Sequence, residues 1–249
     1  MSLLQARDIS CHFGRLIAVN GVSLDVDPGE LRAIIGPNGA GKTTFFNVIS
    51  GLFPPTKGTI LFDGKEISGM PPEKRVNLGM ARTFQITEIF PELTVADNLR
   101  IAVEVAAGLK MRVWVSGAQR RAVDERVAEL LEMGGLTAKK DKGVGALSHG
   151  DQRATEIMVS LALRPRLLML DEPTAGMGDQ ETYDITRLIH RLHKHEHLTI
   201  MLIEHDMRVV FNLADRIMVL AEGQVLAEGT PDEIAGSEAV QAAYLGKAA

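Results

Sequence analysis

The hydrophobic and polar positions of the first third of the chain predict short strands separated by turns. Apolar side chains recur from Leu4 to Ile9 and from Ile17 to Val26, with Phe13-Gly14-Arg15 between the two runs. Leu31 to Ile35 is a mostly apolar run that ends at a glycine, a pattern typical of a strand buried on both faces. Thr59 to Ile67 predicts a hairpin, because an Asp-Gly pair lies at its centre.

Helical patterns follow, and strands and helices then alternate to the end of the chain. Thr43 to Ser50 predicts a helix that a glycine ends. Arg121 to Met133 carries apolar residues at helical spacing, and we interpret 86 to roughly 160 as a helical insertion. The later strands are predicted at Leu167–Leu170, Thr199–Ile203, Arg216–Leu220 and Val225–Ala227. This alternation predicts an α/β fold with a parallel sheet covered on both faces.

Composition narrows the class of protein. The 249 residues are 45% hydrophobic and 24% charged, which is typical of one sizeable globular core and not of a disordered chain. The net charge of −5 gives no global electrostatic reason to bind nucleic acid. The single cysteine, Cys11, fits a reducing compartment, and no apolar run approaches the ~18 residues of a membrane span. We therefore expect a soluble cytosolic protein.

A phosphate loop is predicted at residues 36–43. The stretch is Gly36-Pro37-Asn38-Gly39-Ala40-Gly41-Lys42-Thr43, in which four residues separate the first and last glycines and Lys-Thr follows the last. An apolar strand precedes this stretch and a helix follows it. Glycines allow backbone N–H groups to surround a phosphate, and the helix N-terminus adds positive potential. The lysine supplies a charge for the β- and γ-phosphates, and the Thr43 hydroxyl is a ligand for Mg²⁺.

A second cluster of acids ends the strand predicted from Leu167. Asp171 lies at the carboxyl end of this strand, where open α/β sheets bind ligands, and it suits Mg²⁺ held partly by water. Glu172 is predicted to point to the opposite face of the strand, free to orient or deprotonate an attacking water. Either acid alone is as consistent with a surface turn, but the phosphate loop favours the catalytic interpretation.

With these residues in place, the chain resembles the nucleotide-binding subunits of ABC transporters over nearly its whole length. Asp171 and Glu172 match Walker B, and the phosphate loop matches Walker A. Further matches, in the family's order, are the Q-loop glutamine Gln85, the signature stretch 147–152 and the switch histidine His205. Softer similarities in Ala81-Arg82-Thr83-Phe84-Gln85, Glu204-His205-Asp206-Met207, Glu228-Gly229-Thr230-Pro231 and Ala243-Tyr244-Leu245-Gly246 indicate the ATPases of branched-chain amino acid importers.

The resemblance implies a fold and its division into parts. The expected fold is a P-loop NTPase core, a RecA-like parallel sheet, with an N-terminal antiparallel β subdomain and an inserted α-helical subdomain. The core with its β subdomain is expected at 1–85 and 161–249. The helical subdomain, which carries the signature, is expected at 86–160.

The resemblance also implies roles for individual residues. Glu172, His205 and Gln85 would be catalytic, and Thr43, Gln85 and Asp171 would hold Mg²⁺. ATP would be bound by Phe13, which matches the family's aromatic residue that stacks on adenine, and by residues of the phosphate loop and the signature. The residues of these two motifs are Asn38, Gly39, Gly41, Lys42, Thr43, Thr44, Ser148 and Gly150.

The implied function is ATP hydrolysis that drives uptake of branched-chain amino acids or related small polar solutes. The partners implied are a second copy or a similar ATPase subunit, transmembrane permease subunits and, indirectly, a solute-binding protein, with no nucleic acid. The permeases are expected to dock near Gln85 and residues 90–95. The expected location is cytoplasmic, on the inner face of the cell membrane.

The chain departs from the family pattern in two motifs. In the signature, His149 and Asp151 replace a glycine and the glutamine. An unpaired carboxylate ~4 Å from a γ-phosphate would cost about 4 kcal/mol per charge at an effective dielectric of ~20. We therefore expect Asp151 to have a structural role, in a helix that Ser148 caps. After Walker B, Gly178 stands where the family has an aspartate, which puts in doubt crosstalk between two ATP sites.

Other functions remain open at this point. An exporter or lipid-extraction ATPase would share every catalytic residue and differ in its partner. A DNA-maintenance ATPase of the same family would need long coiled coils, and no sustained heptads lie between Lys42 and Asp171. A small-molecule kinase would lack Gln85, the signature and His205. The histidines at 190, 193, 195 and 197 are interpreted as helix-end residues and not as a metal site.

Overall fold

The computed structural model describes residues 2–83, 89–109 and 116–245, with the side chain of the last of these left out. The strands, in chain order, are β1 (Leu4–Phe13), β2 (Leu16–Val26), β3 (Leu31–Ile35), β4 (Lys57–Phe62), β5 (Lys65–Glu66), β6 (Met80–Arg82), β7 (Leu167–Asp171), β8 (Thr199–Ile203), β9 (Arg216–Ala221) and β10 (Gln224–Gly229). The helices are α1 (Lys42–Ser50), α2 (Pro72–Val76), α3 (Val95–Ala106), α4 (Gly117–Met133), α5 (His149–Ala162), α6 (Asp179–Lys194), α7 (Met207–Leu213), α8 (Pro231–Ala235) and α9 (Glu238–Leu245).

The strands form two sheets, which confirms the predicted α/β fold with an N-terminal antiparallel part. The antiparallel sheet has the order β2-β1-β4-β5, and the hairpin at Asp63-Gly64 joins its last two strands. The second sheet has the order β10-β9-β3-β8-β7-β6, in which only the edge strand β10 is antiparallel to its neighbour.

The register of the parallel strands places three strand ends side by side. Ile203 at the end of β8 is paired with Ile34 of β3 on one side and with Asp171 of β7 on the other. The residues that follow these strands therefore leave the sheet at the same edge. This edge carries the phosphate loop after β3, the two acids at the end of β7 and the switch residues after β8.

The two faces of the parallel sheet are covered by different parts of the chain. Because strand side chains alternate, Leu168 and Leu170 face one side, and Leu167 and Met169 face the other. The first side packs with α3, α4, α5 and α6 in one continuous apolar core, and the second packs with α1 and the antiparallel sheet. The helical insertion thus shares one apolar core with α6 and with this side of the sheet.

Several helix starts are fixed by side chains that accept backbone N–H groups, as their sequences allow. Thr94 accepts the N–H of Asp97 at the start of α3, and Ser116 makes a capping box with Gln119 at the start of α4. These polar caps set where the helices begin. Across the described ranges, the structure contains no helix with both the length and the apolar character required to cross a membrane.

A buried arginine joins α1 to the segment that precedes β6. The side chain of Arg75 is 1% exposed, and its guanidinium donates to backbone carbonyls at the end of α1 and around α2, those of Val48, Ile49, Ile67, Ser68 and Met70. Burial lowers its pKa from the ordinary value to about 10. The guanidinium satisfies carbonyls that lie too far apart for one shorter donor group to reach.

We expect Arg75→Met to reduce the free energy of unfolding by about 3 kcal/mol, because several buried carbonyls lose a charged donor. Urea denaturation of the purified chain measures this difference. The matched control is Lys74→Met, which removes an exposed cation from the same helix and should change stability by less than about 0.5 kcal/mol. Equal stability of Arg75→Met and the unchanged chain would contradict this role.

Candidate active site

The predicted phosphate loop follows the buried strand β3 and leads directly into α1. Gly36 and Gly41 have backbone φ angles of +147° and +95°. A Cβ at Gly36 would lie 2.1 Å from the carbonyl oxygen of Leu220, and one at Gly41 would lie 2.4 Å from that of Ala18. Only glycine fits these two positions, because both the backbone conformation and the close approach exclude a side chain.

The side chain of Lys42 lies inside this loop. It is 8% exposed, and its ammonium donates to the carbonyls of Gly36 at 2.7 Å and Pro37 at 3.1 Å. Burial lowers its pKa, and the negative charges of Glu172 and, next, Asp171 oppose that shift. The structure therefore places the lysine of the loop near both acids of the second cluster.

Asp171 is the last residue of β7 and is 1% exposed. Its Oδ2 accepts from Arg82 of β6 at 2.7 Å, and the same guanidinium donates to Asn47 and Ser50 of α1. This role of Arg82 was not predicted, although the residue lies in the stretch Ala81-Arg82-Thr83-Phe84-Gln85 noted in the sequence. It could not be found from periodicity, because the ion pair joins two strands 89 positions apart.

The fit of the site to Mg²⁺ can be tested on the second oxygen of Asp171. Its Oδ1 is buried and has no hydrogen-bond partner within the described part of the chain. A buried carboxylate oxygen left in this state costs free energy unless a cation or a water shell satisfies it. Thr43, in the first turn of α1, is exposed and available as a second oxygen ligand. These oxygens fit a hard divalent cation.

Glu172 lies just outside the strand, which changes one prediction. The strand ends at Asp171, and Glu172 has a φ of +46°, so strand alternation does not set its direction. Its N–H donates to the carbonyl of Ile203 at 2.9 Å. Its charge is the larger of the two acidic influences on Lys42. The backbone turn, and not the pleat, thus places this carboxylate near the lysine.

A buried glutamate that the sequence analysis did not single out connects two parts of the site. Glu204 is fully buried, and its Oε1 accepts from both the N–H and the hydroxyl of Thr174. Its Oε2 accepts from the N–H groups of His205 and Asp206. One carboxylate therefore fixes the turn that follows Glu172 and the loop that carries His205. The signals in the sequence were the position of this acid at the end of an apolar strand and the stretch Glu204-His205-Asp206-Met207, neither of which indicated the four donors around it.

His205 projects outward from this anchored loop. Its side chain is 63% exposed, and its Nδ1 lies 3.7 Å from Oε2 of Glu204. Asp206 caps the start of α7, because its carboxylate accepts the N–H of Arg208. The ion pair with that arginine, chiefly its hydrogen bond, holds the pKa of Asp206 below its ordinary range. The loop is thus held at both ends while the imidazole stays accessible.

The signature stretch forms the start of α5, and the structural role expected for Asp151 is confirmed. The hydroxyl of Ser148 accepts the N–H of Asp151 at 3.3 Å. The carboxylate of Asp151 pairs with Lys139 at 2.6 Å and 2.7 Å. The acid in the signature is therefore neutralised within its own subunit. The residue that neutralises it lies in a short 3₁₀ turn, Thr137–Lys139, which the pattern of the sequence did not indicate.

The remaining predicted ligands fall in three places. Phe13 ends β1 with its side chain 47% exposed, and its ring contacts Phe53 edge to face at 5.6 Å. Asn38 and Gly39 are exposed at the tip of the phosphate loop, and Thr44 is half-buried in α1. Gln85 lies outside the described residues.

The histidines near the end of α6 do not act as one group. His193 is 3% exposed, and its Nε2 lies 2.9 Å from Oδ2 of Asp215, which also accepts the N–H of Leu31. It therefore helps to join α6 to β3. His190, His195 and His197 are exposed. Over the parts of the chain that the structure describes, no three histidine, cysteine or acidic side chains are grouped to hold a metal ion.

The class of protein follows from this fold, its phosphate loop and its paired acids. Residues 19–175 match the family described as ABC transporter, and residues 224–249 match the family described as branched-chain amino acid ATP-binding cassette transporter. The chain belongs to the ABC transporter family and is an ATP-binding ATPase of that family.

Individual relatives agree over nearly the whole chain. The high-affinity branched-chain amino acid transport ATP-binding protein BraF of Pseudomonas aeruginosa is 42% identical over 99% of this chain and 98% of its own length. The ATP-binding cassette MJ1267, an ABC transporter cassette solved in its ADP conformation, is 30% identical in sequence to this chain. The two structures superpose with a TM-score of 0.86, and the match covers 99% of each chain.

A dimeric relative is also known in structure. The post-hydrolysis state of the ATP-binding cassette MJ0796, bound to ADP and Pi, is 26% identical, with a TM-score of 0.75 over 92% of this chain and 98% of that one. The fold expected from the resemblance, a P-loop NTPase core, is confirmed by these likenesses.

We expect Glu204→Gln to impair both stability and ATP hydrolysis. An amide has one acceptor oxygen, so in either orientation two of the four donors around position 204 would face an NH₂ group. The free energy of unfolding should fall by about 1–3 kcal/mol. The measurements are urea denaturation and steady-state phosphate release. Glu196→Gln, an exposed change between α6 and β8, is the control and should alter neither.

Unchanged stability and turnover in Glu204→Gln would contradict the connection between the two loops.

Proposed function

We propose that this chain is the ATP-hydrolysing subunit of an importer for branched-chain amino acids or related small polar solutes. The observation that carries the proposal is the position of Lys42, buried in the phosphate loop and facing the charges of Asp171 and Glu172. The similarity to BraF over nearly the full length of both chains supports the substrate class. The chain is divided for this purpose into an ATP-binding core, 1–85 and 161–249, and a helical subdomain, 86–160.

The phosphate loop binds the triphosphate in this proposal. The Lys42 ammonium, which the structure holds on the loop's own carbonyls, exchanges these for phosphate oxygens when ATP enters. Backbone N–H groups between Asn38 and Thr44 surround the β- and γ-phosphates. Phe13, with half its surface exposed at the end of β1, stacks on the adenine ring.

Thr43, Asp171 and Gln85 are the proposed ligands of Mg²⁺. When bound, the ion neutralises charge on the β- and γ-phosphates and orients them. The ion pair with Arg82 holds one oxygen of Asp171, and its second oxygen would be available to the ion. Preorganised charge of this kind is the main way in which proteins accelerate phosphoryl transfer.

Glu172 acts on the attacking water, and His205 steadies the γ-phosphate. Both groups lie on turns that Glu204 fixes, which holds them in a constant relation to each other. The site is completed by Ser148 and Gly150 of a second subunit, in a homodimer or a heterodimer with a similar ATPase. The dimeric form of the related cassette MJ0796 supports this arrangement.

The chain works at the inner face of the cell membrane, bound to transmembrane permease subunits. A solute-binding protein delivers the solute to these permeases. The permeases dock near Gln85 and the exposed segment that includes Phe90, so that closure of the dimer moves them. Reconstitution with permeases and receptor in proteoliposomes tests this assignment. Uptake of leucine, isoleucine or valine supports it, whereas ATP-driven export or DNA-stimulated hydrolysis would overturn it.

We expect Glu172→Gln to reduce steady-state hydrolysis by about 10²-fold or more, because the general base is lost. ATP binding should remain, since the phosphate loop and Asp171 are unchanged. Phosphate release and equilibrium binding of a fluorescent ATP analogue measure the two effects. The matched control is Glu125→Gln on the exposed face of α4, which should leave both unchanged. Retained turnover in Glu172→Gln would remove this residue from the reaction.

A further inference from the structure

Glu181, in the first turn of α6, contacts the signature stretch at the start of α5. Its Oε1 accepts the N–H of Gly150 at 3.1 Å. The two helix starts lie so close that a Cβ at position 150 would be 3.2 Å from the Cβ of Glu181. The glycine of the signature therefore allows a carboxylate from the same subunit to reach its backbone.

Several donors converge on this carboxylate. Its pKa lies below the ordinary value, first because of the Gly150 N–H, with partial desolvation opposing the shift. The N–H of Gly178 and the nearby charge of His149 lower the pKa further. Glu181 is thus an anion held by the Gly150 N–H at the start of α5, at one wall of a cleft of about 550 Å³ between α5 and α6.

The other acid of this region is arranged differently. Asp151 is paired with Lys139, and its N–H is already used by the Ser148 cap. The hydroxyl of Ser148 donates to Oδ2 of Asp151 at 3.1 Å. This leaves the N–H of Gly150 as the signature donor that Glu181 engages. In the proposed function, Gly150, together with Ser148, receives the γ-phosphate bound to the partner subunit.

We propose that Glu181 occupies the Gly150 N–H of the signature in the single subunit and must leave it before ATP can join two subunits. The inference rests on the proposed function, in which the signature of one subunit completes the ATP site of the other. A single N–H group forms one strong hydrogen bond, so carboxylate and phosphate compete for Gly150. Two anions at one set of donors also repel each other. Glu181 is therefore a positioning residue that opposes closure.

This role has a direct consequence for the concentration of ATP that closes the dimer. Glu181→Gln keeps the size of the side chain but removes its charge, so the phosphate no longer displaces an anion. Glu181→Ala removes the competing acceptor altogether. Both changes should favour closure, whereas loss of a merely structural contact would leave closure unchanged or weaken it.

The test is an ATP titration of dimer formation in full-length chains that also carry Glu172→Gln, followed by light scattering at constant protein concentration. We expect Glu181→Gln and Glu181→Ala to lower the half-saturating ATP concentration by about tenfold, within the usual range of coupling between two sites. The matched control is Asp184→Asn, which removes an exposed charge one turn further along α6 and should not shift the midpoint. Binding of a fluorescent ATP analogue to the monomer should be equal in all variants.

A kinetic measurement with Glu172 intact provides a second readout. The KM for ATP should fall by the same factor in Glu181→Gln while kcat does not rise, because closure is favoured and the chemistry is unchanged. A midpoint that stays constant or rises in both Glu181 variants, with normal monomer binding, would overturn the inference and leave the proposed function intact. If the Glu172→Gln chain itself forms no dimer at any ATP concentration, the two-subunit site fails, and the inference fails with it.

Discussion

The active site depends on the electrostatic balance between one buried ammonium and two carboxylates at the carboxyl edge of the parallel sheet. Removing Lys42 from water disfavours its charged form, and the charges of Glu172 and Asp171 oppose this effect. The register of β3, β8 and β7 makes the balance possible, because it aligns the ends of these strands in one row. The glycines at 36 and 41 then allow the loop to close over the lysine.

Buried polar side chains transmit this arrangement to the rest of the core. Arg82 links Asp171 to α1, so the strand that carries one acid is tied to the helix that begins with Lys42. Glu204 links the turn after Glu172 to the loop of His205. Arg75 fixes the far end of α1 through backbone carbonyls. Such groups are stable when buried only because nearly all their hydrogen-bonding capacity is used, which favours one geometry over others.

The unusual signature is compatible with the ABC transporter family for a similar reason. The acid at position 151 is neutralised by Lys139 and used in a helix cap, so it does not bring an unpaired charge to the start of α5. Glu181 brings a second acid to the same helix start from a different element. The electrostatics of the signature are therefore set by residues outside it, which a comparison of the motif alone does not reveal.

The sequence by itself determined the elements and the local chemistry. The strand Leu31–Ile35, the strand Thr199–Ile203 and the Asp63-Gly64 hairpin lie where periodicity and turn residues predicted them. The phosphate loop and the Asp171-Glu172 pair were identified from spacing and context, because their chemistry depends on residues adjacent in the chain. The cap that Ser148 provides belongs to the same class.

Only the tertiary structure decided which distant side chains meet. The pairs Arg82–Asp171, Lys139–Asp151 and Glu181–Gly150 join elements 89, 12 and 31 positions apart, and periodicity carries no information about such contacts. The direction of Glu172 was also decided by the fold, since a positive φ at the strand end overrides the alternation that the sequence predicts. Hydrophobic patterns determine which face of an element is buried, whereas packing determines which polar groups then lie within hydrogen-bonding distance.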